Sequence, residues 1–472
     1  MGEPARVGDR VRLTISGRVI KIVQEGLLLE PVSPECISIK LVNGYNVTHP
    51  ESDIESIELL YSDSTKKSDS TAATADSTSE MAVLTSESTT SSTTDSNPKS
   101  ELPLIVLLHT GGTIASRVDY STGAVTARFE PEEIISAVPE LADIAQIRAV
   151  KLGNMWSDDM RPRHWNKILE ASAEAFESGA VGVVITHGTD TLHLTAAAMA
   201  FGWAGAGGKP PGRVVLTGSQ RSSDRGSSDA AENLIAAVHW AARGPDVNGH
   251  RDSSVVVMHE HGSDGVCSVI AGCAARKSHS SRRGAFESID QPPIARIEIE
   301  DGDCSISLID SGSAPASSRD VATTPILFGE NTAIAEFVSN AHLHPRFIGA
   351  AIDAGVDALL IHGTGLGHLP IDDPASDSPE NRELGELLER FCKDGGIAVV
   401  TSQCIRGPVN MDVYTKGREQ QRIGLIGHGA SAPPAIALVK LNHLISRGFG
   451  PAEIRSLWPT DMIGENPDSI RE

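Results

Sequence analysis

Over its first 62 residues the chain alternates short apolar, β-branched runs with turn residues: RVRLTIS, RVIKIVQ, GLLLEPV and ISIKLVNGYNVT. Runs of this length and composition predict strands, and Asn43-Gly44 predicts a tight turn between two of them, so residues 1–62 read as a small β-barrel. The next stretch, SDSTKKSDSTAATADSTSEMAVLTSESTTSSTTDSNPKS, is rich in Ser and Thr and nearly free of large apolar side chains. It cannot bury enough apolar surface to offset the entropy of ordering, so residues 63–100 are expected to form a flexible tether. As a coil its ends lie roughly 35 Å apart. From Leu102 the texture changes to short apolar runs, LIVLL, VGVVIT, RVVLT, SVVVM, DALLI and IAVVT, alternating with the helically spaced HWNKILEASAEAF, TLHLTAAAMAF and AAENLIAAVHWAA. Alternation of this kind predicts an α/β fold with a parallel sheet flanked by helices. A looser region near 300–345 separates a larger α/β domain, 101–335, from a smaller one, 336–472. No internal repeat is found.

A chain of 472 residues has room for two or three such domains. Its formal charge of −22 excludes a protein that grips nucleic acid unaided through a basic surface. Aromatics make up only 4%, and Arg outnumbers Lys, a balance that fits solubility in concentrated salt. The six cysteines, Cys36, Cys267, Cys273, Cys304, Cys392 and Cys404, show no C-x-x-C and no Cys/His spacing for zinc, so reduced thiols are expected. The N-terminus MGEPARVGDR lacks the apolar stretch of a signal peptide, and no run approaches the length of a membrane span. A cytoplasmic protein is expected.

Two segments carry candidate chemistry. His109-Thr110-Gly111-Gly112-Thr113-Ile114-Ala115-Ser116 directly follows the LIVLL strand. In an open α/β sheet ligands bind at the carboxyl ends of strands, and a Gly-Gly pair there lets backbone amides approach a substrate while Thr113 offers a hydroxyl. The plainer alternative is a tight turn whose Thr caps a helix. Thr186-His187-Gly188-Thr189-Asp190-Thr191 repeats the arrangement after VGVVI. A hydroxyl beside a carboxylate is a nucleophile with its orienting group, or else Asp190 and Thr191 simply cap the following helix. Two such loops at strand ends favour the chemical reading.

In this order and about 75 residues apart, T-G-G-T-I-A and H-G-T-D-T resemble the asparaginase/glutaminase family of threonine amidohydrolases. The resemblance implies a two-domain parallel-sheet fold and a catalytic set of Thr113, Thr189, Asp190 and a downstream lysine. Within ARKSHSSRRGAFESID that lysine is Lys277. It also implies that Ser157 and Asp158, in NMWSDDM, hold the α-amino and α-carboxylate ends of an amino-acid substrate. Asp158 stands where many asparaginases carry Gln, and Tyr120 is the candidate lid tyrosine, at a different offset from Thr113. On this reading one threonine attacks the side-chain amide, backbone N–H groups stabilise the oxyanion, and water later cleaves the acyl-enzyme; spacing leaves the order of the threonines open, and Thr113 is preferred as the attacker, with Thr189 and Lys277 handling protons.

More of the chain carries a narrower likeness. GDRVRL and IKLVNGYNVT in the N-terminal module, ARKSHSSRRGAFESID, the GTGLGH loop at 363–368 and TSQCIRGPVNMDVYTKGRE at 401–419 together resemble the family of D subunits of archaeal glutamyl-tRNA(Gln) amidotransferases. That resemblance implies a subunit that hydrolyses glutamine or asparagine and hands ammonia to an E subunit, which uses ATP and Mg to convert Glu-tRNA(Gln) to Gln-tRNA(Gln). It implies no cofactor bound by this chain, tRNA held mainly by the partner, and a homodimer through the asparaginase-like domains within a heterotetramer. The loops at 363–368 and 402–410 are expected near that dimer boundary. The long Ser/Thr tether departs from the family pattern. GWAGAGGK at 202–209 is one residue out of register for a phosphate loop, and Pro210 replaces the required Ser/Thr. HEHGSDG at 259–265 offers His-x-His without a further ligand, and no metal is expected. Two rivals stand: a free-standing L-asparaginase with an added barrel, and a non-catalytic sensor of amide amino acids.

Overall fold

The computed structural model describes residues 5–16, 22–29, 35–41, 46–61, 102–112, 116–118, 125–127, 135, 137–223, 227–246, 251–300, 303–309 and 322–467. The expected Asn43-Gly44 turn and the Ser/Thr-rich stretch 63–100 lie outside the described residues, as do Thr113 and Tyr120. Chain contacts divide the molecule into two compact units, one of residues 1–101 with 118–126 and one of 102–117 with 127–472.

The first unit holds β1 (Arg10–Ile15), β2 (Ile22–Leu28), β3 (Cys36–Leu41), β4 (Asn46–Pro50) and β5 (Ile54–Tyr61). They form an antiparallel sheet in the order β4-β3-β2-β1-β5. Val11, Leu13 and Ile15 alternate along β1, so a period of two sends all three to one face, where they are buried with Ile39. Among the described residues the outer strands β4 and β5 do not pair with each other, so the expected barrel is an open, barrel-like sheet.

The second unit begins with β6 (Leu104–Gly111); β7 (Ser116–Val118) and β8 (Val125–Ala127), whose residues 118 and 125–126 count with the first unit, form a short pair of their own. Next come β9 (Gln146–Met155), β10 (Gly182–Thr186), β11 (Arg213–Thr217), β12 (Val255–His259) and β13 (Val266–Ala271). The pair β14 (Ala275–Lys277) and β15 (Phe286–Ser288) precedes β16 (Ala295–Glu300) and β17 (Asp303–Leu308). Eight of these strands make one sheet in the order β17-β16-β13-β12-β11-β10-β6-β9. From β9 to β12 the pairing is parallel, as the apolar runs predicted, but β13, β16 and β17 add antiparallel strands at one side. The reason is connection length: β12 and β13 are joined by residues 260–265 alone, and a parallel return needs a crossover of a dozen or more residues.

The three stretches of helical spacing are the helices Pro162–Glu177, Leu192–Ala204 and Ala230–Arg243. Leu192–Ala204 is apolar on every side, and all but one of its residues are buried, the pattern of a helix inside a protein rather than on its surface. It packs against helix Pro434–Ser446 from the end of the chain. A second sheet, β18 (Ile334–Val338), β19 (Ala358–Gly363) and β20 (Ile397–Ser402), is parallel throughout. Its strands alternate between two cores: Ala358, Leu360, Ile397 and Val399 join the large core, while Leu359, Ile361, Ala398 and Val400 face a smaller one with Leu384 and Leu388. Both faces are thus covered, which is why DALLI and IAVVT read as unbroken apolar runs.

Leu107, on β6 and fully buried, tests the large core. Leu107→Ala should cost about 2–5 kcal/mol, read from chemical denaturation, because a cavity in the central sheet collapses only in part. A loss below about 0.5 kcal/mol would contradict the packing described.

Candidate active site

Strands β6 and β10 are neighbours in parallel register, with His109 opposite Thr186, so the two loops that follow them leave the sheet at the same level. The register is locked by polar contacts: His109 Nδ1 and Thr186 Oγ1 are 2.8 Å apart, and Thr110 Oγ1 donates to the Thr186 carbonyl at 2.9 Å. Gly112 has φ +91°, and a Cβ there would sit 2.5 Å from the amide nitrogen of Gly188. The glycines therefore allow the two loops to touch backbone to backbone. A Cβ on Gly188 would in turn lie 2.9 Å from Ser157, which is buried. Thr191 donates its hydroxyl to the Ser157 carbonyl at 2.5 Å. Thr191 does stand at the helix N-cap, but its hydroxyl makes no capping bond.

Thr189 lies in this loop and is buried. Its Oγ1 accepts a hydrogen bond from Lys277 Nζ at 2.8 Å, and the same ammonium reaches Asp190 Oδ1 at 2.7 Å. The Lys277 side chain is only 9% exposed against 71% for Asp190, so the ammonium is drawn inward while its counter-charge faces solvent. Lys277 is placed by β14, paired with Phe286 of β15. Of the sequence-predicted residues, the fold thus joins Thr189, Asp190, Lys277 and Ser157 in one cluster; Asp158 follows Ser157 in a short helical turn and is exposed. Thr113, one residue beyond Gly112, and Tyr120 lie outside the described residues.

Several residues at the site carried no recognisable sequence signal. Gln220, buried at the end of β11, brings its Oε1 to 3.5 Å from Thr189 Oγ1. Only its place after a third apolar strand, RVVLT, pointed to it. The loop that carries it is fixed by Asp229, whose carboxylate accepts from Ser219 Oγ (2.8 Å), the Gln220 amide (3.0 Å) and the Arg221 amide (3.0 Å). His187 is also set by a chain of donors. Trp165 Nε1 donates to Thr195 Oγ1 (3.2 Å), Thr195 to His187 Nε2 (2.9 Å), and His187 Nδ1 to the Gly188 carbonyl (2.7 Å). The ring is neutral in this arrangement, and burial pushes its pKa down to about 4. His193, the second residue of the helix Leu192–Ala204, is likewise lowered to about 4 by burial and then by Arg276 and Lys277. It lines a cavity of about 420 Å³ together with Arg276, Glu336, His362 and Gln403. The loops at 363–368 and 402–410 pack on each other, with Ser402 Oγ donating to the Gly365 carbonyl at 2.6 Å and the Gln403 amide to the Gly363 carbonyl at 2.8 Å.

A buried threonine hydroxyl held by a lysine ammonium, with a carboxylate on that ammonium, is equipped to pass a proton between hydroxyl and amine. The family comparisons agree with the fold on which it sits. Residues 104–307 match the asparaginase N-terminal model and residues 337–458 the glutaminase/asparaginase C-terminal domain. The L-asparaginase of Thermococcus kodakarensis superimposes with a TM-score of 0.61 at 26% identity, covering 78% of this chain and all of that one. L-asparaginase I of Vibrio cholerae gives 0.62 at 25% identity, over 78% of this chain and 99% of that one. Fold and cluster together define a protein of the asparaginase/glutaminase class.

Relatives that match the N-terminal unit as well narrow the class. The D subunit of the Thermococcus kodakarensis glutamyl-tRNA(Gln) amidotransferase is 38% identical, over 97% of this chain and 94% of its own length. Its counterpart from Methanopyrus kandleri is 37% identical, over 97% and 91%. The chain belongs to the family of glutamyl-tRNA(Gln) amidotransferase D subunits.

The buried His187 gives a pH test. Its folded pKa of about 4 lies below the ordinary 6.5, so the unfolded chain binds the proton first. The resulting stability is complete above pH 6.5 and is lost as pH falls toward 4, by up to about 3 kcal/mol. In a folded sample the His187 ring resonances should stay those of the neutral, Nδ1-protonated form down to about pH 4.5; titration with a midpoint near 6.5 would contradict the hydrogen-bond chain.

Proposed function

We propose that this chain is the amide-hydrolysing subunit of a tRNA amidotransferase: it releases ammonia from glutamine, or asparagine, and delivers it to an E-type partner subunit. The observation that carries the reading is Lys277 Nζ bonded at once to Thr189 Oγ1 and Asp190 Oδ1, in a chain that is similar to a D-subunit relative over 97% of its length. Thr113 attacks the side-chain carbonyl, and ammonia leaves from the tetrahedral adduct. Thr189, through Lys277, accepts and returns protons and then activates the water that frees the acid product. Ser157 and Asp158 hold the charged ends of the substrate, with Tyr120 closing over it. Backbone amides of the loops at 111–113 and 188–190 stabilise the oxyanion.

On this reading the chain binds no cofactor of its own. The partner uses ATP and Mg to activate the glutamyl group of Glu-tRNA(Gln), and it holds most of the tRNA, as the charge of −22 on this chain favours. Two copies pair through their asparaginase-like halves, giving a heterotetramer with two E-type subunits in the cytoplasm. The six thiols, all unpaired, suit a reducing compartment. The free-standing asparaginase is the rival, favoured by the structural likeness to L-asparaginases over 78% of the chain.

Ammonia release from glutamine and asparagine, measured in high-salt buffer, separates the two. Strong stimulation by the partner subunit with glutamyl-tRNA(Gln) is expected; full activity alone, unchanged by either addition, would establish the asparaginase instead. Lys277→Met should lower kcat about 10²- to 10⁴-fold with little change in melting temperature. A loss under threefold would remove the proton-handling role.

A further inference from the structure

A second cluster of polar side chains, outside the threonine site, lies on the far side of the loop that carries Gln220. Asn233, on helix Ala230–Arg243, donates Nδ2 to the Gly218 carbonyl at 2.9 Å and to Asp229 Oδ2 at 3.0 Å. Its Oδ1 is therefore the acceptor. That oxygen receives both the backbone amide of His259 (2.9 Å) and the His259 ring Nδ1 (2.7 Å). Nδ1 thus carries the proton, and a neutral His259 ring presents a bare lone pair at Nε2.

The lone pair points into a buried setting without a hydrogen bond. The His259 side chain is 0% exposed, and its Nε2 makes no hydrogen bond, although Glu232 Oε2 lies only 3.0 Å away. Asp264 completes the group: one ligand atom from each of Glu232, His259 and Asp264 falls within 4.8 Å of the others. A lone pair against a carboxylate is repulsive unless a cation stands between them. A proton alone does not account for the contact, because an N–H on Nε2 would not be aimed at the carboxylate: the two atoms make no hydrogen bond at 3.0 Å. A metal ion fits the distance. With metal–N and metal–O bonds of about 2.1 Å, adjacent ligand atoms lie about 3.0 Å apart in an octahedral site and about 3.4 Å apart in a tetrahedral one, so the observed spacing matches octahedral coordination.

We propose that Glu232, His259 and Asp264 form a binding site for a divalent cation of the zinc–manganese class. One imidazole with two carboxylates suits these ions better than the all-oxygen sets of calcium and magnesium. Glu232 is oriented by the Gly265 amide, which donates to Oε2 at 2.9 Å. Arg283 pairs with Asp264 Oδ1 and with the Gly262 carbonyl, which leaves the second Asp264 oxygen for the ion and a local charge of −1 to receive it. Cys267 lies 4.0 Å from His259 Nδ1, the ring nitrogen that is not offered to the ion, and stands outside the group of three. Asp264 is 71% exposed and gives the ion an entry path. The HEHGSDG segment supplies His259 and Asp264, while Glu232 comes from the preceding helix, so the third ligand was invisible in the spacing. His261 is not part of the site and lies 3.3 Å from Glu260.

The ion would act at a distance from the chemistry. His259 bonds Asn233, Asn233 bonds Asp229, and Asp229 fixes the Ser219–Arg221 turn that sets Gln220 beside Thr189. Its role is therefore to stiffen that turn, and the site stands whether or not the chain works as a glutaminase.

The test uses the full-length chain, stripped with chelator and dialysed, then titrated calorimetrically with Zn²⁺ and separately with Mn²⁺. One equivalent per chain is expected for at least one ion, with a rise in melting temperature. Asp264→Asn, at an exposed position that leaves folding intact, and Glu232→Gln should each weaken that binding at least about tenfold and abolish the thermal shift. No saturable binding of either ion to the unsubstituted chain would overturn the proposal. So would binding that survives Asp264→Asn unchanged, since the ion would then sit on other thiols or imidazoles.

Discussion

The site depends on one close approach, the backbone of Gly112 against the backbone of Gly188. Two adjacent parallel strands end level with each other, and each is followed by a loop that must turn without side chains in the way. A Cβ at either glycine would fall inside van der Waals contact, so the loops could not meet and Ser157 could not pack beneath them. Thr189, Asp190 and the ammonium of Lys277 are arranged around that contact. The polar bonds of His109, Thr110 and His187 hold it from below, in a core where an unpaired polar group is costly.

The supporting layers follow from how fully each element is buried. Leu192–Ala204 can run beneath the second loop only because it has no polar face to keep in water. The β18-β19-β20 sheet shares one core with it and builds a second on its other face. Lys440 and Glu465 form a fully buried ion pair 2.6 Å long near the C-terminus, with Lys440 also donating to the carbonyls of Trp458 and Thr460. A pair of this kind specifies an arrangement more than it stabilises one, because both charges have left water.

Much of this was legible in the chain. Short apolar runs marked the parallel strands β6, β10, β11, β12, β19 and β20, and the glycines and threonines after LIVLL and VGVVI marked the site, because strand ends and tight turns have strong local signatures. Lys277 could be placed only through resemblance, since 88 residues separate it from Thr189. Gln220, Asp229, Asn233 and Thr195 were missed: their roles are hydrogen bonds between elements, and nothing in their spacing encodes a partner. The antiparallel strands β13, β16 and β17 were missed for a related reason, as an apolar run does not state the direction of its neighbour.

The proposed chemistry stands or falls on whether a threonine hydroxyl opens the amide. An electrophilic analogue of glutamine, a diazoketone, followed by proteolysis and mass spectrometry, tests this most directly by trapping the attacking atom. A single adduct on Thr113, lost in Thr113→Val, is the expected result. An adduct on a cysteine such as the exposed Cys404, or none on either Thr113 or Thr189, would contradict it.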